Sequence, residues 1–230
     1  MTLFMVVNDM KKNPSQNINL KLEIIFKTPF YIGSGLSDNK RVDNLVVKED
    51  GFPYIPGSSL KGRIRYQFNK IANSISANNI NTLHSDSRSY LSCKNQNSIC
   101  KTEHIWESCL HCRIFGSEFF SGSLYFSPAR LESGVRNKVE EFGGIQNYQK
   151  HFYEIRTGNK INRKLQTTED SSLFNYEMAN GQYPFRADIS GQAHLNEEEL
   201  TFFIKCIELL DYLGGNKSRG LGKCKIEITD

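Results

Sequence analysis

The sequence has no long hydrophobic run, and this absence excludes a membrane-spanning helix. Its longest apolar stretches, such as residues 3–7 and 20–26, are short or interrupted, whereas a helix needs about 20 apolar residues to cross a bilayer. Residues 1–16 also lack a basic region ahead of their apolar residues and a small-residue cleavage site after them, which argues against a secretory signal. We therefore expect a cytoplasmic protein that does not contact a membrane.

The chain also has little excess charge. It contains 29 Lys and Arg against 25 Asp and Glu, a formal net charge of +4, which excludes a histone-like polycation. A hydrophobic content of 38%, with 11% aromatic residues, is enough for an ordinary core and excludes a disordered chain. The 230 residues fit one large domain or two small ones.

The positive charge is concentrated in three segments that contain no acidic residue. They are residues 57–70, 155–168 and 212–226, each with four Lys or Arg. Because the whole chain carries only +4, the rest of it is net acidic. Such segregation favours binding of a polyanion through local patches, although a solvated surface is the alternative.

No arrangement of Ser, His and Asp, or of Cys and His, predicts nucleophilic catalysis. The histidines are His84, His104, His111, His151 and His194. They occur in unrelated local settings, so we interpret them as structural or exposed. An acyl-transfer hydrolase is not expected.

Alternation of apolar and polar residues at period two predicts four strands of one sheet. They lie at residues 19–28, 122–131, 183–195 and 223–229. Apolar residues at helical spacing predict a helix that begins at 57–59 and a second helix over 200–213, behind an acidic turn. The order strand, helix, strand, strand, helix, strand is that of the split βαβ unit of ferredoxin-like folds, so we expect an α+β fold.

Two further segments interrupt this pattern. Residues 78–112 show no sustained period and contain many Asn and Ser, so they have too little apolar surface to fold without an added cross-link. Residues 133–182 are too long for a simple loop, and we expect a projecting hairpin there.

The first interruption contains four of the six cysteines, spaced as Cys-x6-Cys-x8-Cys-x2-Cys. They are Cys93, Cys100, Cys109 and Cys112. Four thiolates complete a tetrahedral zinc shell with a structural role, although His104 or His111 is an alternative ligand and four reduced thiols are the alternative to a metal. We expect Cys206 and Cys224, which lie in apolar patterns, to be core residues.

Two glycine-rich segments offer groups that bind phosphate. Residues 57–62 combine helix-start amides, two hydroxyls and a lysine, and residues 214–222 combine close backbone approach with two cations. Neither has the Walker A order. Taken alone, each is equally explained as an ordinary cap or turn.

Four segments together resemble the hallmark motifs of RAMP-superfamily proteins. They are Ile55-Pro-Gly-Ser-Ser-Leu-Lys-Gly-Arg-Ile-Arg65, Cys112-Arg-Ile-Phe-Gly-Ser117, Thr157-Gly-Asn-Lys-Ile-Asn-Arg163 and Leu213-Gly-Gly-Asn-Lys-Ser-Arg-Gly-Leu-Gly222. The chain is most similar to the repeated backbone subunit of type III CRISPR effector complexes of the Csm and Cmr kind. The resemblance covers residues 20–228. One departure is Asn162, where the family motif usually has Asp.

The resemblance implies a single domain with a modified RNA-recognition fold. The palm would comprise residues 18–77, 122–132 and 183–230, with a zinc-stapled insertion at 78–121 and a thumb hairpin at 133–182. In this family the palm holds the guide RNA, the thumb wedges into the guide–target duplex, and copies stack with other subunits into a filament. The implied function is antiviral defence in the cytoplasm of a prokaryote.

The resemblance also implies site residues. The loop Arg41-Val-Asp-Asn-Leu-Val-Val-Lys48 is similar to the loop whose aspartate is needed for metal-dependent cutting of target RNA, with Asp43 at that position and Mg²⁺ or Mn²⁺ as the cation. The implied RNA-binding residues are Gly57, Ser58, Ser59, Lys61, Arg63, Arg65, Arg163, Lys217, Ser218 and Arg219.

Three alternatives stay open from the sequence. The first is a scaffold of the same fold in which Asp43 does not cleave. The second is a guide-processing endoribonuclease, which usually needs a histidine near the N-terminus, whereas the first histidine here is His84. The third is a zinc-stapled protein-interaction module that does not bind RNA.

Overall fold

Strand β1 (Gln16–Phe26) runs through an antiparallel sheet, as its alternation predicts, with Leu22, Ile24 and Phe26 buried on one face. It pairs with β10 (Phe185–Ala193) on one side and with β11 (Cys224–Thr229) on the other. The computed structural model describes residues 15–38, 42–77, 92, 100, 105, 108–159, 161–162, 164–168 and 173–229.

The predicted strand at 122–131 consists of two short strands, β4 (Leu124–Phe126) and β5 (Ala129–Leu131). The break falls at Pro128, because proline has no N–H for the ladder. Both strands pair antiparallel with β10. The central order β11-β1-β10-β5 is that of a ferredoxin-like sheet and confirms the predicted α+β class.

Two strands extend the sheet beyond β5. They are β3 (Phe52–Ile55), which pairs with β5, and the edge strand β2 (Lys48–Glu49). The turn between them contains Asp50 and Gly51, both at positive φ. In the sequence, edge strand β2 directly follows the segment that contains Asp43.

Both predicted helices are present and contribute to the same core. Helix α1 (Gly57–Ala77) buries Leu60, Ile64 and Phe68, the residues at helical spacing. The second predicted helix is Glu197–Glu208 and ends earlier than the expected residue 213. It begins where a capping box closes, since the Asn196 side chain accepts from the Glu199 N–H and the Glu199 carboxylate accepts from the Asn196 N–H.

The described end of the cysteine-rich segment folds as helix α2 (Leu110–Phe115), all of it buried. Within it Arg113 forms a buried ion pair with Glu199 and donates to the carbonyl of His194 at 2.6 Å. Because Glu199 lies in the first turn of the helix Glu197–Glu208, this pair attaches α2 to that helix.

The prediction of a hairpin over the whole of 133–182 is wrong for its first part. That part folds as α3 (Ser133–Glu141) and α4 (Ile145–Phe152), whose apolar residues Val135, Val139 and Ile145 pack against the core. The helix Glu197–Glu208 is accordingly α5 in chain order. The periodicity was masked by the many polar residues of these short helices.

The second part of that segment is a two-stranded hairpin. Its strands are β6 (Tyr153–Gly158) and β9 (Phe174–Ala179), with the short pair β7 (Ile161–Asn162) and β8 (Thr167–Thr168) between them in the chain. In the described part of the chain, no helix is long and apolar enough to span a membrane.

Candidate RNA interface and catalytic loop

The first turn of α1 presents backbone amides and two hydroxyls at the surface. Gly57 is required there because a β-carbon would overlap the carbonyl oxygen of Phe126 at the end of β4. The first intrahelical bond runs from the Leu60 N–H to the Pro56 carbonyl at 3.0 Å, so earlier N–H groups have no partner within the helix. Ser58 and Ser59 are exposed beside them, which makes this turn a suitable anion site.

The glycine-rich loop 214–222 is fixed by its backbone. Gly214 has φ +91°, and a β-carbon there would meet the carbonyl oxygen of Tyr31. The Gly215 N–H donates to that same carbonyl at 2.7 Å. The following 3₁₀ turn, Lys217–Arg219, is exposed and presents both predicted cations together with Ser218.

Tyr212 joins α1 to this loop. Its carbonyl accepts from Arg63 Nε at 3.0 Å, and its ring lies 4.4 Å from Lys217 Nζ. Two cations predicted to bind RNA, 154 positions apart in sequence, therefore flank one residue. Tyr212 gave no signal in the sequence because the predicted helix over 200–213 included it, whereas the helix ends at Glu208.

Five of the predicted RNA-binding cations have no acidic partner within the described residues, and one of them, Arg65, binds His111 instead. The other four are Lys61, Arg63, Lys217 and Arg219, called the four unpaired cations below because no carboxylate pairs with them. By contrast, Arg113, Arg130 and Arg186 each bind a carboxylate. Cations without a carboxylate partner keep their full charge for an external polyanion.

The structure does not bring Arg65 together with Arg63. The two residues are two positions apart on α1 and so lie on different sides of the helix. Arg65 Nε donates to His111 Nε2 at 3.1 Å, beside the cysteines. The predicted Arg163 lies outside the described residues.

Asp43 is exposed and attached to β9. Its carboxylate Oδ2 accepts from the Asn175 N–H at 2.7 Å, and its own N–H donates to the Asn175 carbonyl at 2.9 Å. Asn44 continues the contact as a parallel bridge to Tyr176. One carboxylate oxygen is thus oriented by the protein, while the exposed group keeps acceptor sites for a ligand.

The acidic neighbours of Asp43 are engaged differently. Glu49 binds Arg130 at 2.5 Å, and the hydrogen bond from Arg130 lowers the pKa of Glu49. Asp50 binds Arg136 at 3.2 Å. Asp38 forms a backbone bridge with Val42. Of these four acidic residues, Asp43 is the one whose carboxylate accepts from a main-chain N–H of β9.

A small hydrophobic cluster connects the Asp43 segment to the glycine-rich loop. Tyr176 and Met178 of β9 pack with Leu221 of the loop, and Tyr31 packs against them with its ring 6.1 Å from that of Tyr176. Because Asn44 bridges to Tyr176 and Gly215 bonds to Tyr31, the predicted catalytic segment and the glycine-rich loop share β9 as a common support. Sequence reasoning missed these residues.

Three of the four predicted zinc ligands lie together. The sulfurs of Cys100, Cys109 and Cys112 are all within 4.8 Å of one another, and the Cys109 N–H donates to the Cys100 sulfur at 3.4 Å. Tetrahedral zinc with Zn–S bonds of about 2.3 Å requires sulfurs about 3.8 Å apart, so this cluster fits a metal. Cys93 and His104 lie outside the described residues.

His111 lies beside this cluster. Arg65 Nε and Asn69 Nδ2 both lie 3.1 Å from His111 Nε2, and the Asn69 Oδ1 accepts from Ser92. A guanidinium can only donate, so Nε2 accepts from Arg65. Nδ1 lies 3.9 Å from the Cys112 sulfur, but His111 does not belong to the group of three mutually close ligand atoms.

The remaining cysteines are core residues, as predicted. Burial raises the pKa of both Cys206 and Cys224 to about 12. Thiols with such pKa values are inert at neutral pH.

The chain matches the RAMP superfamily model over residues 23–225 and belongs to that superfamily. The family model spans both predicted helices, the Asp43 segment and the glycine-rich loop.

Two curated relatives have the same printed description, CRISPR system Cms endoribonuclease Csm3. The protein from Methanocaldococcus jannaschii is 28% identical over 228 residues, covering 91% of this chain and 81% of the relative. The protein from Streptococcus thermophilus is 26% identical over 226 residues, covering 91% and 87%.

Solved structures confirm the fold. A chain of the type III-B Cmr-beta complex bound to cognate target RNA superposes with a TM-score of 0.60 at 12% identity, covering 92% of this chain and 97% of that one. A chain of the apo state of Cmr-beta gives 0.57 at 12% identity, covering 93% and 98%. The antiparallel α+β architecture is thus shared with type III complexes.

Proposed function

We propose that this chain is a guide-RNA-binding backbone subunit of a type III CRISPR effector complex and cleaves complementary target RNA. The observation that carries the proposal is the shared support of β9, which places the Asp43 segment beside the glycine-rich loop that presents Lys217 and Arg219. The two curated relatives, described as endoribonucleases, support the activity.

In the proposed assembly the protein recognises the RNA backbone, whereas base pairing recognises the sequence. Residues 18–77, 122–132 and 183–230 form the palm, and the four unpaired cations with the α1 amides bind the guide backbone by charge and shape. Base pairing between guide and target supplies sequence specificity. The hairpin β6–β9, within 133–182, is the thumb that enters the guide–target duplex.

Exposed apolar side chains on the hairpin support the thumb assignment. They are Ile155, Ile161, Leu165 and Leu173, each more than half exposed. Side chains of this kind unstack bases when inserted between them. Further copies of this chain and the other effector subunits are the proposed neighbours in the filament.

Asp43 acts on the target in this proposal. The 2′-oxygen of the target attacks the phosphorus of the adjacent 3′-phosphodiester, and the bond from that phosphorus to the 5′-oxygen of the next nucleotide breaks. The products are a 2′,3′-cyclic phosphate and a 5′-hydroxyl. Asp43 accepts the proton of the 2′-hydroxyl, or orients a cation while solvent water accepts that proton, and a proton from solvent water goes to the leaving 5′-oxygen.

A divalent cation fits the donor set at Asp43. One exposed carboxylate plus substrate phosphate oxygens is a usual environment for Mg²⁺, and Mn²⁺ takes the same ligands. Bound there, the cation would neutralise charge on the phosphate. The chain's own contribution is to hold Asp43 through Asn175.

Zinc at the cysteines is the proposed structural cofactor. Cys93, which lies outside the described residues, would complete the shell with Cys100, Cys109 and Cys112. Four thiolates leave no open position for water, so this metal would staple residues 78–121 and take no part in cleavage.

The test is to purify the tagged chain with its effector neighbours from its host. We expect a stoichiometric small RNA and cleavage of a target complementary to it, with no cleavage of a scrambled target. A complex that binds the matched target but never cuts it would select the scaffold alternative. A chain without RNA and without salt-dependent RNA binding would contradict the proposal altogether.

A further inference from the structure

Glu177 of β9 is a buried carboxylate inside an apolar stretch. It is only 8% exposed and is followed by the fully buried Met178 and Ala179. A buried charge costs several kcal/mol unless it is paired and hydrogen-bonded. An apolar residue at this position would avoid that cost, so the buried carboxylate needs a specific partner.

Both partners of Glu177 lie in the segment that contains Asp43. Its Oε2 accepts from the Val46 N–H at 3.1 Å, and its Oε1 binds Lys48 Nζ at 2.8 Å. The Glu177 N–H also donates to the Asn44 carbonyl at 2.9 Å. One residue of β9 therefore contacts three positions of residues 44–48.

The backbone of residues 45–47 pairs with residues 32–36, since the Ser34 N–H donates to the Leu45 carbonyl and the Val47 N–H donates to the Ile32 carbonyl, both at 2.9 Å. The Glu177 contacts matter because the backbone pairing of the segment with β9, in contrast, is short. The parallel bridge to β9 is confined to Asn44 and Tyr176, next to the Asp43–Asn175 hydrogen bonds. Beyond it, only side-chain bonds from Glu177 continue the attachment to β9 at Val46 and Lys48 in the described part of the chain.

The other strand of the hairpin completes the arrangement. Lys48 Nζ lies 4.1 Å from the ring centroid of Tyr153 in β6, and the Tyr153 hydroxyl donates to the Gly51 carbonyl at 2.7 Å. Burial raises the pKa of Tyr153, so its hydroxyl stays a donor at any working pH. Lys48 is thus held between a carboxylate of β9 and an aromatic ring of β6.

We propose that Glu177, acting with Lys48, is a positioning residue for Asp43: the Glu177–Lys48 pair holds the segment 43–48 on the base of the β6–β9 hairpin and sets where the Asp43 carboxylate stands relative to the scissile phosphate. This inference rests on the proposed catalytic role of Asp43. It adds a coupling between the hairpin and the cleavage step, since the strands that support the hairpin also hold the catalytic segment.

The test uses the complex assembled on guide RNA with Mg²⁺. It measures single-turnover cleavage with the complex in saturating excess over target, and also target affinity and melting temperature. The variants are Glu177→Gln, which keeps the shape, and Lys48→Met, which keeps the stem over Tyr153. The matched control is Lys205→Met, which breaks the exposed 2.7 Å pair with Glu208 on α5.

We expect either variant to slow cleavage by roughly 10- to 100-fold, the scale for a misplaced catalytic group, with target affinity changed less than about twofold. Lys48→Arg, which retains a cation, should recover most of the rate. In an Asp43→Asn background, Glu177→Gln should cause no further loss, because Glu177 acts through Asp43. The control should cleave like the parent complex.

The outcomes separate this inference from the proposed function. If Asp43→Asn abolishes cleavage while both Glu177→Gln and Lys48→Met cut at the parent rate, the positioning role is wrong and the proposed function stands. If Asp43→Asn cuts normally, the catalytic assignment and the positioning role both fail. If target affinity falls as much as the cleavage rate, or if the losses add in the double variant, Glu177 serves binding or stability and the positioning role is wrong. If the Glu177→Gln complex does not assemble, the cleavage rate of Lys48→Met tests the positioning role in its place.

Discussion

The carboxylate of Asp43 and the main-chain N–H of Asn175 form a 2.7 Å hydrogen bond across 132 positions of sequence. The bond holds a catalytic candidate on a strand of the hairpin, while leaving the side chain exposed. Binding and cleavage should therefore be separable by mutation.

Replacing Asp43 should remove cleavage without weakening binding. A carboxylate near a phosphate is repulsive unless a cation stands between them, so Asp43→Asn should bind target equally well or slightly better. The cleavage rate should fall about a hundredfold or more. Single-turnover kinetics measure the cleavage rate, and the control variant Asp38→Asn should cut nearly as fast as the parent complex. If Asp38→Asn loses cleavage while Asp43→Asn retains it, the catalytic assignment moves to Asp38.

Removing two of the four unpaired cations should weaken RNA binding for all sequences alike. Lys61→Ala with Arg219→Ala should lower the salt dependence of log Kd by about 0.7 to 0.9 for each lost phosphate contact. Filter binding over a salt series measures this. Lys205→Ala, which removes an exposed paired cation, should leave the slope unchanged, and an unchanged slope in the double variant would refute the placement.

Metal analysis of the reduced protein should return one zinc per chain. Cys112→Ser should lose the metal and make α2 more susceptible to proteolysis, since a structural zinc contributes folding free energy directly. Cys206→Ala, in the core away from the cluster, should retain the zinc. A metal-free wild-type chain would contradict the prediction.

The buried Arg113–Glu199 pair should be costly to break. Glu199→Gln leaves a buried guanidinium without its counter-charge, and removal of one partner of such a pair typically costs about 3 to 5 kcal/mol. Denaturant titration should show the loss. Breaking the exposed Lys205–Glu208 pair should change stability by about 0.5 kcal/mol or less.

Cys206 and Cys224 should resist alkylation in the native protein. With pKa values of about 12, roughly one thiol in 10⁴ is ionised at pH 8, and this fraction rises about tenfold per pH unit. Mass spectrometry after iodoacetamide treatment should find both unmodified in the native state and labelled after denaturation. Labelling at the rate of a free thiol would show that these sites open.

Local patterns in the sequence determined the main strands and helices of the sheet and its core. The alternation in β1, the helical spacing of Leu60, Ile64 and Phe68, and the glycine-rich motifs all depend on residues close in the chain. Side-chain periodicity records which face is buried, so these strands and helices could be predicted without a structure. The two helices α3 and α4 were missed because their apolar residues are few and their length is short.

Only the tertiary structure decided what each segment faces. Glu177 contacts Val46 and Lys48 across 131 and 129 positions, Arg65 binds His111, and Arg113 is buried against Glu199. Such contacts arise when chain closure brings distant segments together. Their energy depends on burial and on exact distance, and neither is encoded in the order of neighbouring residues. The sequence alone therefore sufficed to suggest Asp43, but the strand that holds it in place emerged only from the fold.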